Sequence, residues 1–161
     1  ELPAPKARDG GLLRKKLDEA KAFYNFADMW QGLHTRDGEA LVRDSDKVVT
    51  DDVYRLFQLW VRQNVASLDS PFQKPLELMT EALKETGYDE AVPEVDELKV
   101  RLQDLLIKEF DTDAPAIRRR LEEAVRSRFL PESEVAAWQV RGDDEVALAL
   151  ELARSERRYL S

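Results

Sequence analysis

Residues 50–61, Thr-Asp-Asp-Val-Tyr-Arg-Leu-Phe-Gln-Leu-Trp-Val, constrain the fold more than any other segment. Thr50 is a helix N-cap type whose hydroxyl can accept a hydrogen bond from an otherwise unpaired backbone N–H. Asp51 and Asp52 set negative charge at the positive end of the helix dipole. Val53, Leu56, Phe57, Trp60, Val61, Val65 and Leu68 then recur at three- and four-residue intervals, the period of an amphipathic helix with a broad apolar face. The segment is built to pack, and it holds no reactive constellation.

The same period runs along the chain. A first helix is predicted over 12–31 through Leu13, Leu17, Ala20, Phe23, Phe26, Ala27 and Trp30, ending before Gly32. Residues 32–49 carry no sustained period and read as a long loop with a short helical turn near Glu39–Val42. Further helices are predicted over 51–67, from Pro75 to Gly87 through Leu76, Met79 and Leu83, and over 93–110 through Val95, Leu98, Leu102, Leu105, Leu106 and Phe110. A helix over 114–129 has Ile117, Leu121, Ala124 and Val125 inward, with Asp113 as its cap. A short one over 131–139 precedes a last helix over 143–160, started by Gly142, Asp143 and Asp144 and lined by Val146, Ala149, Leu150, Ala153 and Leu160. No segment alternates with a period of two, so the fold class is all-α. The short connections predict a compact antiparallel bundle of about six or seven helices. Residues 1–11, with Pro3, Pro5, Gly10 and Gly11, read as a flexible lead-in, and 12–161 as one helical domain.

Length and charge narrow the function. A chain of 161 residues is long enough to bury a core. Its net charge of −8 argues against nucleic acid, whose phosphates the summed field repels, and favours a basic protein partner. No apolar run is long enough to span a bilayer, so no membrane partner is expected. The start at Glu1 rather than methionine is that expected of a processed or trimmed chain.

Catalytic, cofactor and metal sites find no pattern to rest on. Cysteine is absent, and His34 is the single histidine, which removes thiolate chemistry and leaves one imidazole without a visible partner. Asp44 and Asp46 fall on third and fifth positions of a calcium-loop register, but Val42, Lys47 and Val53 occupy its first, sixth and twelfth. The pairs Asp111 with Asp113 and Asp143 with Asp144 sit at predicted helix starts, where capping accounts for them. The arginines at 118, 119, 120, 126 and 128 form the densest basic patch, with Glu122 and Glu123 in the same turns, so intrahelical ion pairs compete with a partner surface. No site residue is therefore assigned to catalysis, cofactor or metal. Phe57, Trp60, Arg118, Arg119 and Arg126 are the candidate interface residues, aromatics and arginines being the usual interface anchors.

Trp30, the run Thr50 to Leu59, and then Ser70, Pro71 and Phe72 follow one another in an order that resembles the WY-type helical effectors of the RXLR class, secreted by oomycete plant pathogens. Residues 102–110, Leu-Gln-Asp-Leu-Leu-Ile-Lys-Glu-Phe, are similar to the tryptophan helix of a second such module, with Phe110 in place of the tryptophan. In that resemblance Trp30, Val53, Tyr54 and Leu56 are the core motif. It implies a non-enzymatic virulence protein, secreted and targeted to host cells, that binds host proteins and suppresses immunity. The residues alone leave two alternatives open: a bacterial intracellular regulatory adaptor or chaperone, and a small helical hydrolase using the carboxylates and arginines of 111–128.

Overall fold

The structure, a computed structural model, describes residues 11–65 and 71–160, without the side chains of 143–147, 149, 150 and 157–160. Residues 1–10 of the predicted lead-in and the inward placement of Leu68 fall outside the described residues, as do the side chains of Asp143, Asp144, Val146, Ala149, Leu150 and Leu160. Eight α-helices and one 3-10 turn are described: α1 Leu12–Glu19, α2 Ala22–Leu33, α3 Gly38–Asp44, α4 Asp51–Asn64, α5 Gln73–Glu85, the turn Asp89–Ala91, α6 Val92–Thr112, α7 Ala114–Phe129 and α8 Glu132–Leu160. The described residues contain no strand, and the all-α bundle expected from the periodicity is the fold observed.

The predicted first helix is two. At 3.6 residues per turn Phe26 would stand about 180° around the axis from Leu17 on a straight helix, so one rod could not bury both. The chain breaks at Ala20 and Lys21, where Lys21 takes the left-handed conformation at φ 55°. Leu13 and Leu17 on α1 and Phe23, Phe26, Ala27 and Trp30 on α2 then all enter the same core.

α4 starts as its sequence demands, with Thr50 Oγ1 accepting from Val53 N at 3.3 Å. Its Phe57, fully buried, is the hub of an aromatic cluster. The ring stacks on Phe23 at 5.5 Å, meets Phe26 edge-on at 5.2 Å, and meets Phe110 edge-on at 6.3 Å. Such burial contributes roughly 1.5–3 kcal/mol per side chain, and edge-to-face geometry adds to it. α7 buries Ile117, Leu121, Ala124 and Val125, as predicted, and lies against α2.

Three expectations about element ends change. Asp113 makes no side-chain cap for α7. Its Oδ2 lies 3.5 Å from Arg14 Nε without a hydrogen bond, so Coulomb attraction to α1 holds it instead. The helices expected over 131–139 and 143–160 are one, α8, running through Gly142. A Cβ at Gly142 would lie 2.9 Å from Arg119 Nη1, the mobile end of a long side chain, so this glycine sits beside α7 within α8 rather than starting a helix. Gly87, at φ +81°, does end a helix: Tyr88 N donates back to Leu83 O at 2.8 Å, closing α5.

The largest departure concerns α5 and α6. Leu76, Met79 and Leu83 were expected inward, yet α5 has no buried residue and Met79 is 54% exposed. On α6 only Val95, Leu106 and Phe110 are buried, whereas Leu98 and Leu105 are open to solvent. α6 is long enough for its C-terminal turns to reach the core through Leu106 and Phe110 while its N-terminal turns leave it. There it pairs with α5 as a helical hairpin whose main neighbours are its own two helices and the 3-10 turn.

Candidate interaction surfaces

The interior polar site lies where α7 meets the segment joining α3 to α4. Glu122 Oε1 and Oε2 accept from Val48 N and Val49 N, each at 2.8 Å. Arg126, one turn on, donates from Nε to Glu122 Oε1 at 3.1 Å. Its terminal nitrogens donate to the carbonyls of Val42, Ser45 and Asp46 at 3.1, 2.9 and 3.1 Å. The pair thus replaces the hydrogen bonds that a segment of irregular backbone would otherwise lack, and a buried pair needs such partners to offset desolvation. The loop tested in the calcium register gives its Val42, Ser45 and Asp46 carbonyls to this guanidinium.

That geometry withdraws Arg126 from the candidate interface, because the residue is buried and its donors are taken up inside the fold. Phe57 is withdrawn for the same reason: at 0% exposure it has no surface to offer a partner. Trp60 sits at the edge of the core, half-buried, edge-on to Phe26 at 5.8 Å, with Leu56 and Leu59 exposed beside it on α4. Arg118 bonds Asp51 at 2.8 Å and lies 4.4 Å above the Tyr54 ring. Arg119 reaches Gln139 O at 3.4 Å and the Trp138 ring at 5.6 Å. Of the core motif, Trp30 and Tyr54 are buried and Val53 packs against the core, but Leu56 is 42% exposed. The α4 stripe is narrower than its sequence suggests, so Leu56 falls on the solvent side.

Tyr54 joins α4 to α6 by donating its hydroxyl to Phe110 O at 2.6 Å. Burial pushes its phenol up to about 12, against the lowering effect of Arg118. His34 stacks on Trp30 at 4.0 Å, with Nδ1 3.2 Å from Asp37 Oδ1, a local turn contact. The arginines of the basic patch are shared out among different helices. Arg120 bonds Asp18 at 2.8 Å, Arg128 Nε lies 2.9 Å from Asp28 Oδ1, and neither points with the others into one cavity. A groove of about 270 Å³ between α3, α7 and α8 includes Arg43, Arg126 and Trp138, but Arg43 is held by Glu39 and Glu134 at 3.2 and 2.9 Å.

The surface that sequence reading missed is the α5–α6 hairpin. Exposed apolar side chains recur along it: Leu78, Met79, Tyr88, Leu98, Val100 and Leu105. A groove of about 310 Å³ runs between the two helices, lined by Leu76, Val95, Glu77, Glu81, Asp96 and Lys99 among others. One signal in the sequence does mark it. From Pro71 to Asp104 nine carboxylates accompany four cations, a net of −5 within a chain of −8.

A family model described as "Probable PDZ-protease, C-terminal helical domain" matches residues 13–153. No curated protein and no solved structure matches the chain. The match runs through both segments on which the effector resemblance stood, and it corrects that assignment: these are not WY-type effector modules. The expected secretion, host targeting, virulence and host-protein partner go with it. Tryptophan, Asp-Asp-Val-aromatic and leucine spacing serve any capped amphipathic helix, and the exposed Leu56 departs from the effector core. No described helix is long and apolar enough to cross a membrane.

Proposed function

The chain belongs to the family of C-terminal helical domains of probable PDZ-proteases, and on that premise we propose that it is a non-catalytic interaction domain that brings protein partners to such a protease. The observation that carries this reading is the α5–α6 hairpin, in which a whole helix, α5, buries no residue while Met79 and Leu98 stay about half exposed. A helix of 13 residues is marginal alone in water, and most helices gain their stability from a packed apolar face. A surface that leaves that face uncovered has the character of a docking site. The reading is nearest to the regulatory adaptor considered from the sequence. It gives Arg118, Arg120, Glu122, Arg126 and Arg128 a structural part, since they pair with Asp51 on α4, Asp18 on α1, Asp28 on α2 and one another.

The test uses the complete protease chain carrying this domain, with Met79→Lys and Leu98→Lys combined. Cleavage of an unfolded protein substrate, or capture of the protease's protein partner, is expected to fall at least fivefold, while hydrolysis of a short chromogenic peptide stays unchanged. Equal loss of both activities, or no loss of either, would overturn the reading. Peptide hydrolysis by the 161-residue chain alone would do so as well.

A further inference from the structure

We propose that the α5–α6 hairpin receives a cationic amphipathic helix, a segment of a partner protein with lysines or arginines flanking a short apolar seam. The inference rests on the interaction reading above and specifies the chemistry of the partner. Three observations carry it. The first is the shape of the site: the groove of about 310 Å³ lies between two antiparallel helices and has Leu76 and Val95 in its lining. Such a groove accepts a third helix by ridge-into-groove packing, and α5 gives a contact line of roughly 20 Å, three to four turns.

The second is the charge. Glu77, Glu81 and Asp96 line the same groove, with Lys99 the single cation there. The third separates this charge from that of the rest of the molecule. Across α1, α2, α3, α4 and α7 eight of the nine carboxylates, all but Asp44, lie beside a lysine or arginine, as in Asp18 with Arg120, Asp28 with Arg128, Asp51 with Arg118 and Glu122 with Arg126. Among the described residues none of the nine carboxylates between Pro71 and Asp104 is in an ion pair. Glu77 accepts only a 3.4 Å bond from Gln73 on its own helix. The hairpin therefore has both apolar area and negative charge left unmatched within the chain.

A second copy fits poorly, because two hairpins of net −5 would meet like charge to like. Anionic lipid and nucleic acid are repelled for the same reason. A cationic helix answers both unmatched properties: its apolar residues contact Leu76, which the hairpin leaves half-buried, and its cations meet the flanking carboxylates.

The experiment titrates the intact chain with two synthetic 18-residue helical peptides sharing one leucine seam, one flanked by lysines and the other by glutamates, followed by fluorescence anisotropy and backbone amide shifts. The lysine peptide is expected to bind at least tenfold tighter, to shift amides within 73–105, and to weaken at least tenfold between 50 and 300 mM salt, as expected of charge-led association. The exposed triple substitution Glu77→Lys, Glu81→Lys, Asp96→Lys should reverse the preference with an unchanged circular dichroism spectrum; single Glu81→Lys, which perturbs the chain least, should weaken the lysine peptide alone. Equal affinity for the two peptides, shifts centred elsewhere, or no binding would overturn the proposal. Binding of the glutamate peptide to the hairpin would overturn the cationic partner while leaving the hairpin a docking surface, which the protease assay above decides separately.

Discussion

Glu122 and Arg126, one turn apart on α7, are paired at 3.1 Å and both buried, and together they bind four backbone groups of the segment between α3 and α4 and the Val42 carbonyl in the last turns of α3. The pair therefore serves the fold as a substitute for secondary structure. It positions Val48 and Val49 in the core, directly ahead of the Thr50 cap at the entry into α4.

Removing one member should cost far more than an ordinary ion pair. Glu122→Ala leaves Arg126 buried without its counter-charge and two N–H groups unpaired, a loss of about 3–5 kcal/mol. Replacing both by apolar residues, Glu122→Leu with Arg126→Met, removes the uncompensated charge but still orphans the backbone groups. Urea unfolding of Glu122→Leu, Arg126→Met and the double variant should show the double variant less destabilised than the sum of those two singles. Additive losses would mean that the two side chains act independently.

Tyr54 makes stability sensitive to alkali. Its folded pKa, about 12, stands above the unfolded phenol's ordinary value of 10. A group raised in the folded state stabilises it fully below the unfolded value, and that contribution is lost as pH climbs from about 10 through 12. Absorbance at 295 nm should show one of the four tyrosines titrating last, and Tyr54→Phe should remove that step. The same variant should lose roughly 1 kcal/mol at pH 7, the worth of its bond to Phe110 O.

Lys21 is the one non-glycine among the described residues at positive φ. A side chain in that region costs about 1 kcal/mol relative to glycine. Lys21→Gly should therefore raise Tm by about 2–4 °C, the shift that energy produces in a domain of this size. Lys21→Val, β-branched at the same φ, should lower it. A destabilising glycine would mean that the break is held by lysine contacts rather than tolerated.

Hydrogen exchange should separate the hairpin from the body. Amides in the middle of α5, with no buried side chain above them, should exchange at least a hundredfold faster than those of α7 around Leu121 and Val125. Exchange in α5 as slow as in α7 would show that the hairpin opens only with the whole fold.

Much of the architecture was legible because helix formation is local. The Thr50 cap, the inward stripe of α7 and the stop at Gly87 follow from residues within one or two turns of each other, and each stands where the spacing placed it. The misread points are those where a distant neighbour decides. Gly142 has the composition of a helix start, and its place inside α8, beside Arg119 of α7, is not written in its neighbours along the chain. Glu122 and Arg126 read as a surface pair at i and i+4 until the segment at 42–49 folds over them. Leu98 and Leu105 have the spacing of core residues, and their exposure depends on where α6 leaves the bundle.

The sequence by itself determined which stretches are helices, which residues could enter a core, and that negative charge gathers between Pro71 and Asp104, since periodicity and charge are properties of neighbours along the chain. Tertiary structure alone decided which apolar faces found a partner. The core is closed by α1, α2, α4, α7 and the end of α6, and once Phe57, Phe110 and their neighbours fill that volume, α5 has no interior left to enter.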